Sequence, residues 1–176
     1  MNYFLNTLLL LIVSSSFYAQ DLPQTQRDSY TRYELLEPAT HSFRIIYDVT
    51  ATTEGKEVYF NTLRKGSKHK VTQVLDRMTG KPLKWDIVNG VEAMKSGHPR
   101  AQKDGEYLKV YLNRPIPKAG GIRIRIDKTY KDPESYYTEG DHIVFVRRLG
   151  INRNSLVLPE GYEISSCNYP SQVELG

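Results

Sequence analysis

Alternation of apolar and polar side chains with a period of two is the dominant pattern of this chain. It is longest over Phe43–Ala51 and most regular over Ile122–Asp127, where three Ile alternate with Arg, Arg and Asp. A period of two places alternate side chains on opposite faces of a β-strand. One apolar and one polar face are typical of antiparallel sheets that pack on a core from one side.

Shorter apolar segments predict the other strands. Thr79-Gly80-Lys81-Pro82 has the residues of a turn and predicts a hairpin between Val71–Leu75 and Leu83–Ile87. The long polar segments Asn89–Asp104 and Asp132–Asp141 are predicted to be loops, the first of them mobile. The remaining predicted strands are Val58–Leu63, Leu108–Leu112, His142–Val146, which is expected to be more fully buried, Ser155–Leu158 and Tyr162–Cys167.

These elements predict an all-β fold with about eight short strands and no helix longer than about two turns. We expect an antiparallel β-sandwich of two packed sheets, with a barrel as the alternative. The predicted domain covers residues 42–173 and follows a polar lead-in, residues 20–41, that pairs at most one short strand. Residues 174–176 are a possible truncation point, because Pro170–Gly176 ends without a charged tail or a strand pattern.

The first 19 residues have the pattern of a secretory signal peptide. Met1–Ala19 contains no charged side chain, and the apolar run Leu8–Val13 is followed by three serines. This run is too short to cross a bilayer, which needs ~20 apolar residues. Cleavage after Ala19 and cleavage after Ser16 both remain open, and either predicts a secreted or periplasmic protein without a membrane span.

The distribution of charge is more informative than the net charge of +4. Residues 55–131 carry 18 basic and 7 acidic side chains, whereas the segments on either side are acidic. A cationic surface on an exported protein favours an acidic glycan or an acidic protein partner. Nucleic acid is not expected, because no motif for binding it is present, and a mean hydropathy of −0.51 excludes a polytopic membrane protein.

The sequence offers few groups for catalysis. The single cysteine excludes an intramolecular disulfide, and the four histidines lack metal-ligand spacing. Neither the nucleophile elbow of hydrolases nor a phosphate-binding glycine loop is present. We therefore expect no cofactor, no metal and no complete active site in this chain. Two weaker alternatives stay open: Cys167 as a nucleophile beside His41 or His142, and a calcium site in the acidic segment Asp132–Asp141, although its spacing differs from the known calcium loop.

Two groups of residues form the candidate binding surface. Tyr107 and Tyr111 are predicted to share the strand face opposite Leu108 and Val110. Tyrosine rings on an open face stack on sugars or form protein interfaces, whereas on a covered face they belong to the core. The second group is the basic loop Arg64, Lys65, Lys68 and Lys70, which could bind polyanions.

Residues Tyr107–Leu112, a Pro-Gly loop and Ile122–Tyr130 resemble a hairpin in the amino-terminal β-domain of gluzincin zinc aminopeptidases. The resemblance extends over Ser42–Phe145, and Leu149–Val173 is similar to uncharacterised secreted proteins of Bacteroidota-type bacteria. The zinc motif His-Glu-x-x-His and the substrate motif Gly-x-Met-Glu-Asn of that family are absent here. The resemblance therefore implies the scaffold without peptidase activity.

Two functions follow from these observations. The first is an exported, non-catalytic β-sandwich that serves as a binding or accessory module. The alternative is an amino-terminal domain fragment of a secreted zinc aminopeptidase-like protein whose catalytic domain lies outside this chain. The expected partner is an acidic glycan, another protein, or a downstream domain of a longer chain.

Overall fold

The computed structural model describes residues 28–174, so the predicted signal peptide and both its cleavage positions lie outside the described residues. The described part contains ten strands, one α-helix and a 3-10 turn at Pro38–Thr40. The elements are β1 (Tyr30–Leu35), β2 (Ser42–Ala51), β3 (Val58–Leu63), β4 (Lys68–Asp76), β5 (Trp85–Asn89), α1 (Gly90–Lys95), β6 (Glu106–Tyr111), β7 (Ile122–Lys131), β8 (Tyr136–Glu139), β9 (His142–Phe145) and β10 (Arg153–Val157).

The strands form a five-stranded sheet, a three-stranded sheet and a two-stranded hairpin. Their orders are β10-β1-β2-β7-β4, β3-β6-β5 and β8-β9. All pairs are antiparallel except β1 and β10, which run parallel. The predicted all-β, mainly antiparallel sandwich is confirmed, and β1 is the one short strand that the sequence allowed in the lead-in.

The inward face of the five-stranded sheet is covered in two halves. The three-stranded sheet packs on one half, where β2 and β7 contribute residues such as Val49 and Ile124 to an aliphatic core. The β8–β9 hairpin packs on the other half, where the core is aromatic and includes Phe43, Tyr130 and Tyr136. Period-two alternation along the two longest strands, β2 and β7, supplies both cores.

The predicted hairpin between Val71–Leu75 and Leu83–Ile87 forms only next to its turn, where Leu75 pairs with Pro82 and the Leu83 backbone nitrogen donates to the Val74 carbonyl oxygen at 2.9 Å. The turn itself forms, with Asp76 Oδ1 accepting from the backbone nitrogen of Met78 at 2.8 Å. However, β4 lies in the five-stranded sheet and β5 in the three-stranded sheet. The chain leaves β4 after this turn and enters the other sheet only at Trp85, while Val74 and Leu83 both contribute to the aliphatic core. The two segments that resemble a hairpin of the zinc aminopeptidases form β6 and β7, and these strands also lie in different sheets.

Three further local predictions are corrected. The predicted loop Asn89–Asp104 contains α1, because Asn89 Oδ1 accepts from the Glu92 backbone nitrogen at 2.9 Å and caps the helix. The predicted loop Asp132–Asp141 contains β8, paired with β9. Tyr162–Cys167 forms no strand, and β9 is half-buried because it lies in a two-stranded hairpin at the margin of the core.

Within residues 28–174, no helix has the length and apolar character that a membrane span requires.

Gly90 provides a test of how α1 is held against the sheet. A Cβ at Gly90 would lie 1.7 Å from the carbonyl oxygen of Gln102, a backbone atom that cannot move alone. We expect Gly90→Ala to lower the free energy of unfolding by about 1–3 kcal/mol in urea denaturation, although alanine favours helices. Gly150→Ala is the control, because a Cβ there meets no atom within 4 Å. Equal stability of both variants would contradict the packing of α1.

Candidate functional site

The four basic residues of the predicted loop do not converge on one point. Arg64 Nε lies 3.1 Å from Asp132 Oδ2, a buried carboxylate, whereas Lys65 Nζ lies 2.6 Å from Asp104 Oδ2 at the surface. Lys68 and Lys70 are exposed on one face of β4. Two of the four cations are therefore already paired with carboxylates.

An open cleft of about 340 Å³ lies beside this loop. The Lys65–Asp104 hydrogen bond at its mouth raises the pKa of Lys65 and lowers the pKa of Asp104. Both side chains are exposed, so the pair contributes little to stability. The lining mixes acids and bases and favours no polyanion; it comprises Arg64, Lys65, Gly66, Ser67, Asn89, Asp104, Gly105 and Glu106.

Tyr107 and Tyr111 lie on the same face of the three-stranded sheet but in different environments. Tyr107 is 3% exposed, because α1 and the segment after it cover that end of the face. Its hydroxyl accepts from the backbone nitrogen of Gln102 at 2.7 Å, so its polar tip is satisfied. Tyr107 is thus a packing residue of a small third core.

Tyr111 occupies the other end of that face and is half-buried. Its hydroxyl donates to Asp86 Oδ2 at 2.8 Å. The ammonium groups of Lys109 and Lys84 lie over its ring, at 5.2 and 6.0 Å from the centroid. The ring face that a sugar would stack on is therefore shared with two cations.

The acidic segment Asp132–Asp141 is organised around one buried carboxylate. Asp132 Oδ2 accepts from the Ser135 hydroxyl at 2.7 Å and also faces Arg64. Within residues 28–174, no three or more His, Cys, Asp or Glu side chains gather where they could hold a metal ion. Asp132 therefore holds the connection between β7 and β8 together.

Cys167 is exposed, and its recorded contacts are with its own segment. Its Sγ lies 3.5 Å from the carbonyl oxygen of Tyr169, and hydrogen bonding to Ser171 and Tyr169 lowers the pKa of the thiol. His41, one of the two histidines considered beside it, instead places Nδ1 3.0 Å from the carbonyl oxygen of Tyr136.

Ion pairs join the basic middle of the chain to the segment that precedes it. Asp48 Oδ1 and Oδ2 each lie 2.7 Å from nitrogens of Arg125, in a bidentate pair. Arg44 pairs in the same way with Asp127, at 2.9 and 2.6 Å, which raises the pKa of this guanidinium. These pairs lie on the outward face of the five-stranded sheet, with the carboxylates buried beneath partly exposed guanidiniums.

Lys128 is a buried cation that the sequence analysis missed. It lies on the inward face of β7, between Ile126 and Tyr130, and is 5% exposed. Its ammonium donates to Asn61 Oδ1 of β3 at 2.5 Å. Burial, together with the nearby positive charge of Arg147, lowers the pKa of Lys128 to about 7. The signal was available, because β7 alternation assigns Lys128 to the core.

Arg147 lies close to the same part of the core. Its side chain is only 14% exposed, and its Cζ lies 5.1 Å from the ring centroid of Phe43 and 5.4 Å from that of Tyr130. The nearest recorded carboxylate oxygen, Asp132 Oδ2, is 3.7 Å from Nη1. Among the described residues, Nε and Nη1 have no hydrogen-bond partner.

Comparison with solved structures finds similarity to M1 zinc metallopeptidases. One is a mutant enzyme from Deinococcus radiodurans bound to a Tyr-Ser-Ala substrate, and another is a two-domain mutant M1 enzyme bound to L-tryptophan. Each has 13% sequence identity and a TM-score of 0.41, covering 58% of this chain and 19% of the other. This chain thus spans less than a fifth of their length. No family model matches the chain, and no curated protein sequence matches it.

The buried position of Lys128 predicts a specific pH dependence of stability. An unfolded lysine has a pKa of about 10.4, so between about pH 7 and 10.4 the unfolded state binds more protons. The free energy of unfolding therefore rises with pH in this window, with a limiting slope of about 1.4 kcal/mol per unit, and the cost of burying the ammonium is fully present below about pH 7.

We expect Lys128→Met to remove this slope in denaturation curves measured from pH 6 to 10, and to be stabilising at the acidic end. Lys131→Met is the matched control, since Lys131 ends the same strand but is exposed. If wild type and Lys128→Met show the same slope, Lys128 titrates as an ordinary surface lysine and this account of the core is wrong.

Proposed function

We propose that this protein is an exported, non-catalytic β-sandwich that acts as an accessory module by docking onto a folded protein partner. The docking surface is its carboxyl-terminal edge, defined here as β10 and residues 158–173. The observation that carries the proposal is the concentration of exposed apolar side chains along this edge.

Seven of the eleven large apolar side chains exposed among the described residues lie between Val146 and Val173. Surface apolar residues scattered singly need no explanation, but a concentration in one segment is typical of an interaction surface. Those on the docking edge are Leu156, Val157, Tyr162, Ile164, Tyr169 and Val173.

The backbone of this edge is also available for pairing. In the described part of the chain, β10 is the outermost strand of the five-stranded sheet and pairs only with β1. An outer strand presents backbone donors and acceptors to an incoming strand. The segment after it carries no regular strand or helix, so its apolar side chains lie on an extended surface.

The charge of the edge favours protein over acidic glycan as the partner. The edge carries one basic side chain, Arg153, and two acidic ones, Glu160 and Glu163, which lie among the apolar residues. It offers no cluster of cations to an acidic polymer. An apolar protein surface with a basic rim is complementary to this edge.

If this edge binds a partner protein, charged side chains introduced there should prevent the partner from binding. We expect Ile164→Asp combined with Tyr169→Asp to reduce at least tenfold the recovery of proteins crosslinked to the exported protein in its native cells. Val91→Asp is the control, because Val91 is equally exposed but lies on α1. Equal recovery with all three proteins, or no specific crosslink to wild type, would contradict the proposal. If the partner is a second copy of this chain, light scattering of the purified protein will give the mass of a dimer.

A second candidate is the amino-terminal domain of a secreted zinc aminopeptidase-like protein. The sequence resemblance of Tyr107–Leu112 and Ile122–Tyr130 supports it. In this case the partner of the docking edge belongs to the same polypeptide. The coding frame downstream of Gly176 decides: we expect it to encode His-Glu-x-x-His with a later glutamate, and a stop codon there would remove this candidate.

A further inference from the structure

The aromatic half of the core holds an excess of positive charge. We propose that Arg147, with Lys128 beside it, forms a binding site for a carboxylate group at the junction between the two halves of the core. This site is separate from the docking edge, and its argument does not depend on the proposed function.

The first observation is the state of Arg147. A guanidinium presents five N–H donors, and buried polar atoms are normally hydrogen-bonded. In residues 28–174, two of the Arg147 nitrogens, Nε and Nη1, are buried without a hydrogen-bond partner. The rings of Tyr33, Phe43 and Tyr130 surround its Cζ at 5.1–5.9 Å, and rings supply no acceptor of comparable strength.

The second observation is the local count of charges. Arg147 and Arg64 face the same carboxylate oxygen, Asp132 Oδ2, at 3.7 and 3.1 Å. Because the distance to Arg64 is the shorter of the two, we assign Asp132 as the partner of Arg64. Lys128 adds a third cation, and its recorded hydrogen-bond partner is the neutral amide of Asn61. One carboxylate thus serves two guanidiniums, and the ammonium of Lys128 has a neutral partner, in a place where an uncompensated charge is costly.

The third observation is that these groups contact one aromatic ring. Lys128 Nζ is 5.2 Å and Arg147 Cζ is 5.4 Å from the ring centroid of Tyr130. The imidazole of His69 packs edge-on to the same ring at 6.1 Å, and its Nε2 lies 3.5 Å from Glu106 Oε2. Two cationic side chains therefore share the ring of Tyr130.

The rest of the molecule indicates which anion fits. Arg44 and Arg125 are each satisfied by a bidentate carboxylate at 2.6–2.9 Å. A guanidinium matches the planar geometry of a carboxylate through two parallel hydrogen bonds. Arg147 is also a guanidinium, but it lacks a bidentate carboxylate. A bound carboxylate gives Arg147 the same kind of pair that Arg44 and Arg125 form.

Arg147 lies close to the surface, since its side chain is 14% exposed, although Nε and Nη1 themselves are buried. It belongs to the connection between β9 and β10, which has no regular strand or helix and whose neighbouring side chains Val146 and Arg148 are exposed. The carboxylate can come from a small molecule or from an acidic side chain of a polypeptide. Both sources present the same group to Arg147 and differ in the bulk attached to it.

The test is an NMR titration of the purified protein that follows the Lys128 side chain and the Arg147 Nε–H. Sodium acetate replaces sodium chloride at constant ionic strength, and N-acetyl-glutamate amide is used in a parallel series. We expect a saturable shift of the Arg147 signal and a rise in the Lys128 pKa of about one unit, because a nearby anion favours the ammonium. We also expect a saturable rise in the unfolding temperature.

Arg147→Met should abolish the response of Lys128, whereas Arg148→Met, at the exposed neighbouring position, should leave it unchanged. A response to both probes assigns the site to side-chain carboxylates as well as small ones, and a response to acetate alone restricts it to small carboxylates. No saturable shift with either probe in wild type, or the same Lys128 shift in Arg147→Met, overturns the proposal. The wild-type titration gives this answer even if Arg147→Met does not fold.

Discussion

Burial of the inward face of β7 is the constraint on which the rest of the structure depends. This strand pairs with β2 on one side and β4 on the other, and its inward side chains Ile122–Tyr130 run the full length of the sheet. The three-stranded sheet covers only the aliphatic half, so a second cover, the β8–β9 hairpin, is needed for the aromatic half. The three-stranded sheet and the β8–β9 hairpin meet at a junction over β7, and Lys128 lies at this junction.

Charge pairing across distant segments sets the character of the outward face. Asp48 and Asp132 come from the acidic flanks of the sequence, yet they pair with Arg125 and Arg64 of the basic middle. A bidentate pair with a buried carboxylate is stronger than an exposed ion pair, because less water competes for it. In the folded protein, carboxylates therefore neutralise part of the positive charge of residues 55–131. This neutralisation weakens the argument for an acidic glycan as the partner.

The molecule departs from a self-sufficient domain in two places. The carboxyl-terminal edge exposes apolar side chains beside an outer strand, and the aromatic core buries a guanidinium that lacks an acceptor in the described part of the chain. The edge lacks apolar contacts for its side chains, and the guanidinium lacks a nearby negative charge of its own. The partners that we propose for these two places therefore differ, since apolar surface favours a protein and a guanidinium favours an anion.

The sequence by itself determined the strands with regular alternation, such as β2 and β7, and the all-β class, because a period of two is a local property. It also placed Tyr107 and Tyr111 on one face. Only the tertiary structure decided that β4 and β5 belong to different sheets, that α1 covers Tyr107 but not Tyr111, and that the basic loop is divided between Asp132 and Asp104. Sheet membership, covering and ion pairing join residues far apart in sequence, and local patterns carry no information about such contacts.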